Sequence, residues 1–195
     1  MTKTHISNEN SKIGKIPNFS LPPIKSCPNC KYCFQKDKKL TCYALKAYQQ
    51  YTVVRVAWDD NYTMATHKPK QLRSDIVKYL SKTRKKFFRL HVSGDFFSQS
   101  YLDMWIDICQ SFPGIRFLAF TKAFGLDYSN IPANLKIIYS LMPGMPMPTK
   151  AGTRAYCGNL PTTNKKRVYY CPGNCEGCMM CWNLRIDEAV HFDIH

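Results

Sequence analysis

The sequence predicts an α/β fold, a small parallel βαβ sheet with a cysteine-rich, metal-bound segment near each end of the chain. Apolar β-rich runs alternate with an amphipathic helical pattern between residues 87 and 142, which is typical of parallel strands joined by a crossover. Eight of the ten cysteines fall into two tight groups. With 195 residues, 45% of them hydrophobic, the chain is expected to be a single domain with one core.

The first third of the chain predicts an arm followed by helices. Residues 1–26 contain three prolines and predict an irregular arm with at most one short extended segment. Residues 27–42 form the first cysteine segment. The segment CYALKAYQQYTVVRVAWDDNYTMATH is expected to be helical, with a break near the β-branched run TVVRV. A further helix is expected over Pro69–Lys82, because proline suits a first helical turn.

The centre of the α/β core (residues 43–142) predicts strand, helix, strand, strand. The strands are expected at Phe87–Ser93, Ile115–Lys122 and Leu135–Met142. The helix is expected over Ser98–Phe112, with Ser98 as its N-cap and Cys109 on its buried face. Residues 143–195 begin with a Pro/Gly-rich break and predict a short metal-bound tail.

The two cysteine groups predict two metal centres. The first group is Cys27, Cys30, Cys33 and Cys42, and the second is Cys171, Cys175, Cys178 and Cys181. Closely spaced thiolates reach one centre at little cost in chain entropy. The C-x2-C-x2-C start of the first group favours a [4Fe–4S] cluster, and structural zinc is the alternative for both. Cys157 is either a further ligand or a bystander.

Polar residues follow two of the predicted strands. Gly94 and Asp95 follow the first strand, and Lys122 closes the next. The carboxyl ends of parallel strands are where such sheets bind ligands, so these residues are candidates for cofactor binding. The alternative is that Asp95 lies in a strand-to-helix turn and only caps the next helix.

The formal charge of +15 favours an anionic partner, nucleic acid above all. The densest basic run is Lys82, Arg84, Lys85, Lys86 and Arg89; the alternative is a solvated surface. Aromatic residues interleave with basic ones in KKFFRL and KKRVYY, but strand core is the better interpretation of Phe87, Phe88, Val168 and Tyr169. The sequence contains no signal peptide and no membrane-spanning run, so we expect a reducing cytoplasm, in which clustered thiols bind metal.

Several segments together resemble the phage gene product 88 family. They are NSKIGKIPNFSLPP, the segment ending in CYALKA, RLHVSGDFFSQSYLDMW, FLAFTK and the terminal CxxCxxCW. The resemblance runs over nearly the whole chain. It implies a protein of phages, prophages or mobile elements, and hence the cytoplasm of a bacterial host.

The chain also resembles radical S-adenosylmethionine enzymes, in which a cysteine-rich loop ending in Cys-aromatic precedes a strand ending in Gly-acid. There, three cysteines hold a [4Fe–4S] cluster, and its fourth iron binds the amino and carboxylate groups of the cofactor. The resemblance implies a truncated form of the partial barrel of those enzymes. It assigns the first cysteine group to the cofactor-binding cluster, Gly94 and Asp95 to the cofactor's amino group, and the second group to an auxiliary cluster.

This sequence departs from the usual C-x3-C-x2-C spacing of those enzymes, since its first group begins C-x2-C-x2-C. One of its four cysteines, Cys27 or Cys42, would have to be a non-ligand. The leading expectation is thus an iron–sulfur protein with two [4Fe–4S] clusters, a radical-SAM-like activity on an unknown substrate, and a reductant protein as partner. The alternative is a nucleic-acid-binding protein without catalysis, whose metal centres only hold the fold.

Overall fold

The computed structural model describes residues 2–33, 42–158 and 167–193. Residues 34–41 of the first cysteine segment lie outside the described residues, as do Lys165 and Lys166 of the predicted KKRVYY strand. The strands are β1 (Asn18–Phe19), β2 (Phe87–Leu90), β3 (Arg116–Thr121), β4 (Leu135–Leu141), β5 (Arg154–Cys157), β6 (Arg167–Tyr170) and β7 (Glu188–Phe192).

The strands of the described ranges form one sheet in the order β1-β2-β3-β4-β5-β7-β6. Every neighbouring pair is parallel. The helices are α1 (Tyr43–Gln50), α2 (Thr52–His67), α3 (Pro69–Lys82), α4 (Gln99–Ser111), α5 (Cys175–Cys178) and α6 (Met180–Asn183), with a short 3-10 helix at Cys30–Cys33. The predicted α/β class and parallel sheet are therefore confirmed.

The central elements lie where the sequence predicted them. Helix α3 begins at Pro69, and the Ser98 hydroxyl accepts the Tyr101 N–H at the start of α4. The helical region after the first cysteine segment breaks at Tyr51, just before TVVRV. Strand β2 ends earlier than predicted, because His91 has a φ of 56° that an extended strand cannot continue through.

The prediction of a short tail after residue 142 was wrong, because this region supplies β5, β6 and β7. These strands are four or five residues long, and their pairing is not local. Apart from the β-rich run around Val168 and Tyr169, the local sequence pattern therefore did not predict them. The N-terminal arm likewise contributes β1, which pairs with β2 at the edge of the sheet. Val168 and Tyr169 lie in β6, as their interpretation as strand residues implied.

The two faces of the sheet differ in what covers them. Side chains alternate between faces along a strand, and one set, including Phe88, Leu90 and Phe117, packs with residues of α2, α3 and α4. The Trp105 ring lies at the centre of this core, 5.5 Å from Phe19. Cys109 is fully buried there, as predicted.

The opposite face carries a smaller core that involves both ends of the chain. Leu118, Ile138 and Val190 of the sheet pack here against Ile16 of the N-terminal arm and Trp182 of α6. Half-buried cysteines of the second group join this core. In the ranges that the structure describes, no helix has the length and apolar character needed to cross a bilayer.

Candidate metal centres at the carboxyl edge of the sheet

The carboxyl ends of all strands in a parallel sheet lie along one edge, and the predicted site residues collect there. The first cysteine segment follows β1, and the second begins directly after β6. The residues at or just beyond the ends of β2, β3 and β5 are Gly94, Asp95, Lys122 and Cys157. The fold thus brings both cysteine segments to the carboxyl edge of the sheet.

Hydrogen bonds to backbone carbonyls shape the first cysteine segment and hold it against the end of β3. The Cys30 N–H donates to the Cys27 carbonyl at 3.2 Å, which starts the 3-10 turn. The Asn29 side-chain amide donates to the Lys122 carbonyl. Tyr43, next to Cys42, donates its hydroxyl proton to the Val92 carbonyl beyond β2.

The thiols of the first group act on one another electrostatically. Burial raises the pKa of Cys33, the charge of Lys122 lowers it, and Cys42, Cys30 and Cys157 raise it further. Burial and the charge of Asp95 raise the pKa of Cys27 to about 12. Four cysteines of the segment and Cys157 therefore share one neighbourhood with Lys122.

Gly94 is required for the first segment to dock. Its φ is +86°, and an added Cβ would lie 2.6 Å from both the Leu21 Cβ and the Ser26 Oγ. Ser26 is itself buried and donates to the Pro22 carbonyl at 2.6 Å. The chain leading from β1 to the first cysteine thus packs directly on the Gly94 backbone.

Asp95 is buried, and hydrogen bonds from its own surroundings hold its carboxylate. Oδ1 accepts the Phe96 N–H at 2.7 Å and the Thr121 hydroxyl at 2.6 Å, and Oδ2 accepts the Lys122 N–H at 2.7 Å. Burial nevertheless raises the pKa of Asp95 above its usual range. The side chain ties the end of β2 to the end of β3. It does not cap the next helix, because the N-cap of α4 is Ser98.

Lys122 is half-buried between these anionic groups. Burial by itself lowers the pKa of its ammonium group, but the charges of Cys33, Asp95 and Cys157 outweigh it and hold the pKa above its ordinary value. Lys122 is therefore the cation of the first site.

The second cysteine group surrounds a cavity of about 170 Å³. All four of its cysteines line this cavity, together with apolar side chains of Met179, Met180 and Trp182. The loop is shaped by Asn174, which caps α5 by accepting the Gly177 N–H, and by Met179, whose φ of 51° separates α5 from α6.

The N-terminal arm closes over this second loop. The Cys175 N–H donates to the Lys12 carbonyl at 3.3 Å, and the Lys15 N–H donates to Glu176 Oε2 at 3.1 Å. Gly14 lies between them with a φ of +68°, and a Cβ there would overlap the Glu176 side chain.

The donor set of each group suits soft metal chemistry. Thiolates are the ligands of [4Fe–4S] clusters and of structural zinc, and an apolar lining that limits water access suits a cluster. No three His, Cys, Asp or Glu side chains in the described ranges are arranged to hold a metal ion.

Sequence reasoning missed three residues of this edge. Arg89 was assigned to the exposed basic run, but it is only 9% exposed and lies over the Phe120 ring at 4.1 Å. Cys157 was left ambiguous, and its Sγ lies 4.0 Å from the Ser140 hydroxyl inside the sheet face. Burial raises the pKa of both Cys157 and Cys175, and the charge of Lys12 offsets part of that rise. Alternation along the predicted strand Phe87–Ser93 could have placed Arg89 on the face of the sheet that carries the smaller core, whereas Cys157 lies in β5, which was not predicted.

The remainder of the basic run lies at the other edge of the sheet. Lys82, Arg84, Lys85 and Lys86 are exposed and precede the first residue of β2. Because β2 runs from this edge towards the cysteines, the run and the candidate metal centres lie at opposite ends of the strand.

Comparison with known proteins identifies a phage relationship. A family model described as Gene product 88 matches residues 1–145, a range that includes the first cysteine group, Gly94, Asp95 and Lys122 but ends before the second group. The Gene 88 protein of Mycobacterium phage D29 is 36% identical over 53 residues, which cover 27% of this chain and 22% of that protein. No solved structure matches the chain.

Proposed function

We propose that this chain, which belongs to the gene product 88 family, is an iron–sulfur protein that holds one [4Fe–4S] cluster at each cysteine group. The observation that carries the proposal is the cavity of about 170 Å³ whose walls include all four cysteines of the second group. Eleven consecutive residues supply these ligands, and the N-terminal arm holds the loop in place.

The first site has a different environment, which supports a finer proposal. Its cysteines follow β1 beside Gly94 and Asp95 at the end of β2, where parallel sheets bind ligands. We assign to it a [4Fe–4S] cluster with one iron open to S-adenosylmethionine, so that Cys27 or Cys42 is not a ligand. The cluster and cofactor would supply the redox chemistry, while Asp95 positions the strand ends and Lys122 supplies positive charge.

The test of the iron–sulfur proposal is anaerobic purification and reconstitution, followed by iron, sulfide and zinc analysis. We expect a brown protein with about eight iron and eight sulfide per chain, as two four-iron clusters require. A colourless protein with about two zinc ions per chain would replace this proposal with structural zinc.

The test of the finer proposal is the addition of S-adenosylmethionine to the reduced protein. We expect the EPR signal of one cluster to change and 5′-deoxyadenosine to form. In Asp95→Asn both responses should weaken, whereas Asp127→Asn, a change at an exposed carboxylate, should leave them intact. An unchanged signal and no product, with both clusters intact, would mean that cysteines occupy every iron.

A second candidate function is nucleic-acid binding through the exposed basic run Lys82, Arg84, Lys85 and Lys86. If these side chains contact phosphates, affinity should fall steeply with salt, and a variant with Lys85→Gln and Lys86→Gln should show a slope smaller by about two. Binding that is absent even at low salt would eliminate this candidate.

A further inference from the structure

Arg89 is a cation on the face of the sheet that carries the smaller core, which is called the inner face below. Its neighbours in β2, Phe88 and Leu90, belong to the helix-covered core, so alternation places Arg89 on the opposite face. There its guanidinium lies over Phe120, whose ring is 5.5 Å from that of Phe192 in β7. Only 9% of the residue is exposed.

No carboxylate among the described residues forms an ion pair with this cation. Its Nε is buried and has no hydrogen-bond partner there. The ion pairs of the described ranges are those of His5, Arg73 and Lys150, and none of them includes Arg89. Burying an unpaired charge is costly, and the face of one phenyl ring offsets only part of that cost.

The second cysteine group lies on the same face of the sheet as Arg89. Cysteines 171, 175 and 181 pack in the same core as Phe87 and Phe120, which flank Arg89 on the inner face. Because the guanidinium lies 4.1 Å from the centre of the Phe120 ring, it shares this core with the loop of the second group.

We propose that Arg89 is the counter-charge of the second iron–sulfur cluster and sets its reduction potential. This inference rests on the proposed function. A cluster bound by four thiolates is anionic, and one-electron reduction from [4Fe–4S]²⁺ to [4Fe–4S]⁺ adds a further negative charge. A buried cation nearby stabilises the reduced form more than the oxidised form, so it raises the potential.

The experiment measures the potential of the second cluster in full-length reconstituted protein. Dithionite supplies the electron, EPR follows the reduced cluster, and a Cys33→Ser background removes the signal of the first site. The variants are Arg89→Met, which removes the charge and keeps an apolar stem, and Arg89→Lys, which keeps the charge. Lys86→Met is the matched control, since it removes one exposed charge next to the same strand.

We expect Arg89→Met to lower the ratio of reduced to oxidised second cluster by about tenfold at a fixed potential, while Arg89→Lys and Lys86→Met change it much less. An equal ratio in Arg89→Met and Lys86→Met, with the cluster present, would overturn the role of Arg89 and leave the iron–sulfur proposal standing. Absence of any cluster at the second group in the unmodified protein would overturn both. If Arg89→Met fails to fold, Arg89→Gln takes its place, with the same expected change.

Discussion

The two cysteine groups lie at the same edge of the sheet, yet their surroundings differ. The second group is compact, because all four cysteines line one cavity. The first group is spread over Cys27–Cys42, and it shares its neighbourhood with Asp95, Lys122 and Cys157. The second group has the character of a closed, self-contained centre. The first lies among ionisable groups at the strand ends, which is the environment expected of a reactive site.

The contrast shows that the spacing of the cysteines in the sequence does not by itself decide the chemical role of their site. A contiguous set of ligands folds around its own centre with little help from the sheet. A set positioned by the ends of β1, β2 and β3 depends on the register of distant strands and is open to a ligand in the crevice. The following predictions test the separation, in order of expected effect.

The largest effect is expected from removing one cysteine of the second group. Cys178→Ser should lower iron content by about half if, as proposed, each group holds its own cluster. The EPR response to S-adenosylmethionine at the first site should persist. Cys109→Ala, which changes a fully buried thiol away from both groups, is the control and should retain all iron. Loss of both clusters in Cys178→Ser would mean that the groups share one site.

Removal of metal should disorder the two cysteine segments and leave the centre of the fold ordered. Cluster binding contributes folding free energy at each site, whereas α3, β2, α4 and β3 are held by the helix-covered core around Trp105. After chelation, hydrogen exchange should accelerate in residues 27–33 and 171–181 and stay slow in α4. Unchanged exchange at both ends would show that the centres do not hold these segments.

Two glycines offer a matched pair of changes, one for each group. Gly94→Ala should destabilise the protein by about 1–3 kcal/mol, from the strain of a positive φ and overlap with Leu21 and Ser26, and lower occupancy of the first site. Gly14→Ala should act on the second site, because its Cβ would displace Glu176. Gly114→Ala, where a Cβ meets nothing within 4 Å, is the control. Unfolding and iron content are measured for each variant. Loss of iron from the second site alone in Gly94→Ala would contradict the independence of the two groups.

The smallest effect concerns His91, which lies just beyond β2. Burial and the charge of Arg89 lower its pKa from 6.5 to about 3, and its Nε2 pairs with the Tyr101 hydroxyl at 3.0 Å. Between those values the unfolded chain binds a proton that the folded protein does not, so stability is present above about pH 6.5 and is lost as pH falls.

Relative to His91→Gln, the wild type should therefore lose up to about 1.4 kcal/mol per pH unit on acidification through this window. Urea unfolding of both proteins, matched for iron content, measures the difference. Parallel pH profiles would show that His91 is not the acid-sensitive group.

The sequence predicted the centre of this fold, and the four cysteines grouped near its end do line one cavity. Helices α3 and α4 were predictable because their apolar periodicity is clean and Pro69 and Ser98 mark their starts. Strands β5 to β7 were not, because each is short and its pairing is non-local. Because these strands were not predicted, the residues that contact the cysteines were not predicted either. Arg89 was taken for a surface residue because a run of basic residues precedes it, although a strand alternation turns it inward.

The most direct test of the central claim is ⁵⁷Fe Mössbauer spectroscopy of the reconstituted protein with and without S-adenosylmethionine. If the second group is closed and the first has one open iron, about one iron in eight should change its spectrum when the cofactor is added, and the remainder should not. A spectrum that is identical with and without the cofactor would show that both groups are closed. A protein that binds zinc in place of iron would contradict the account as a whole.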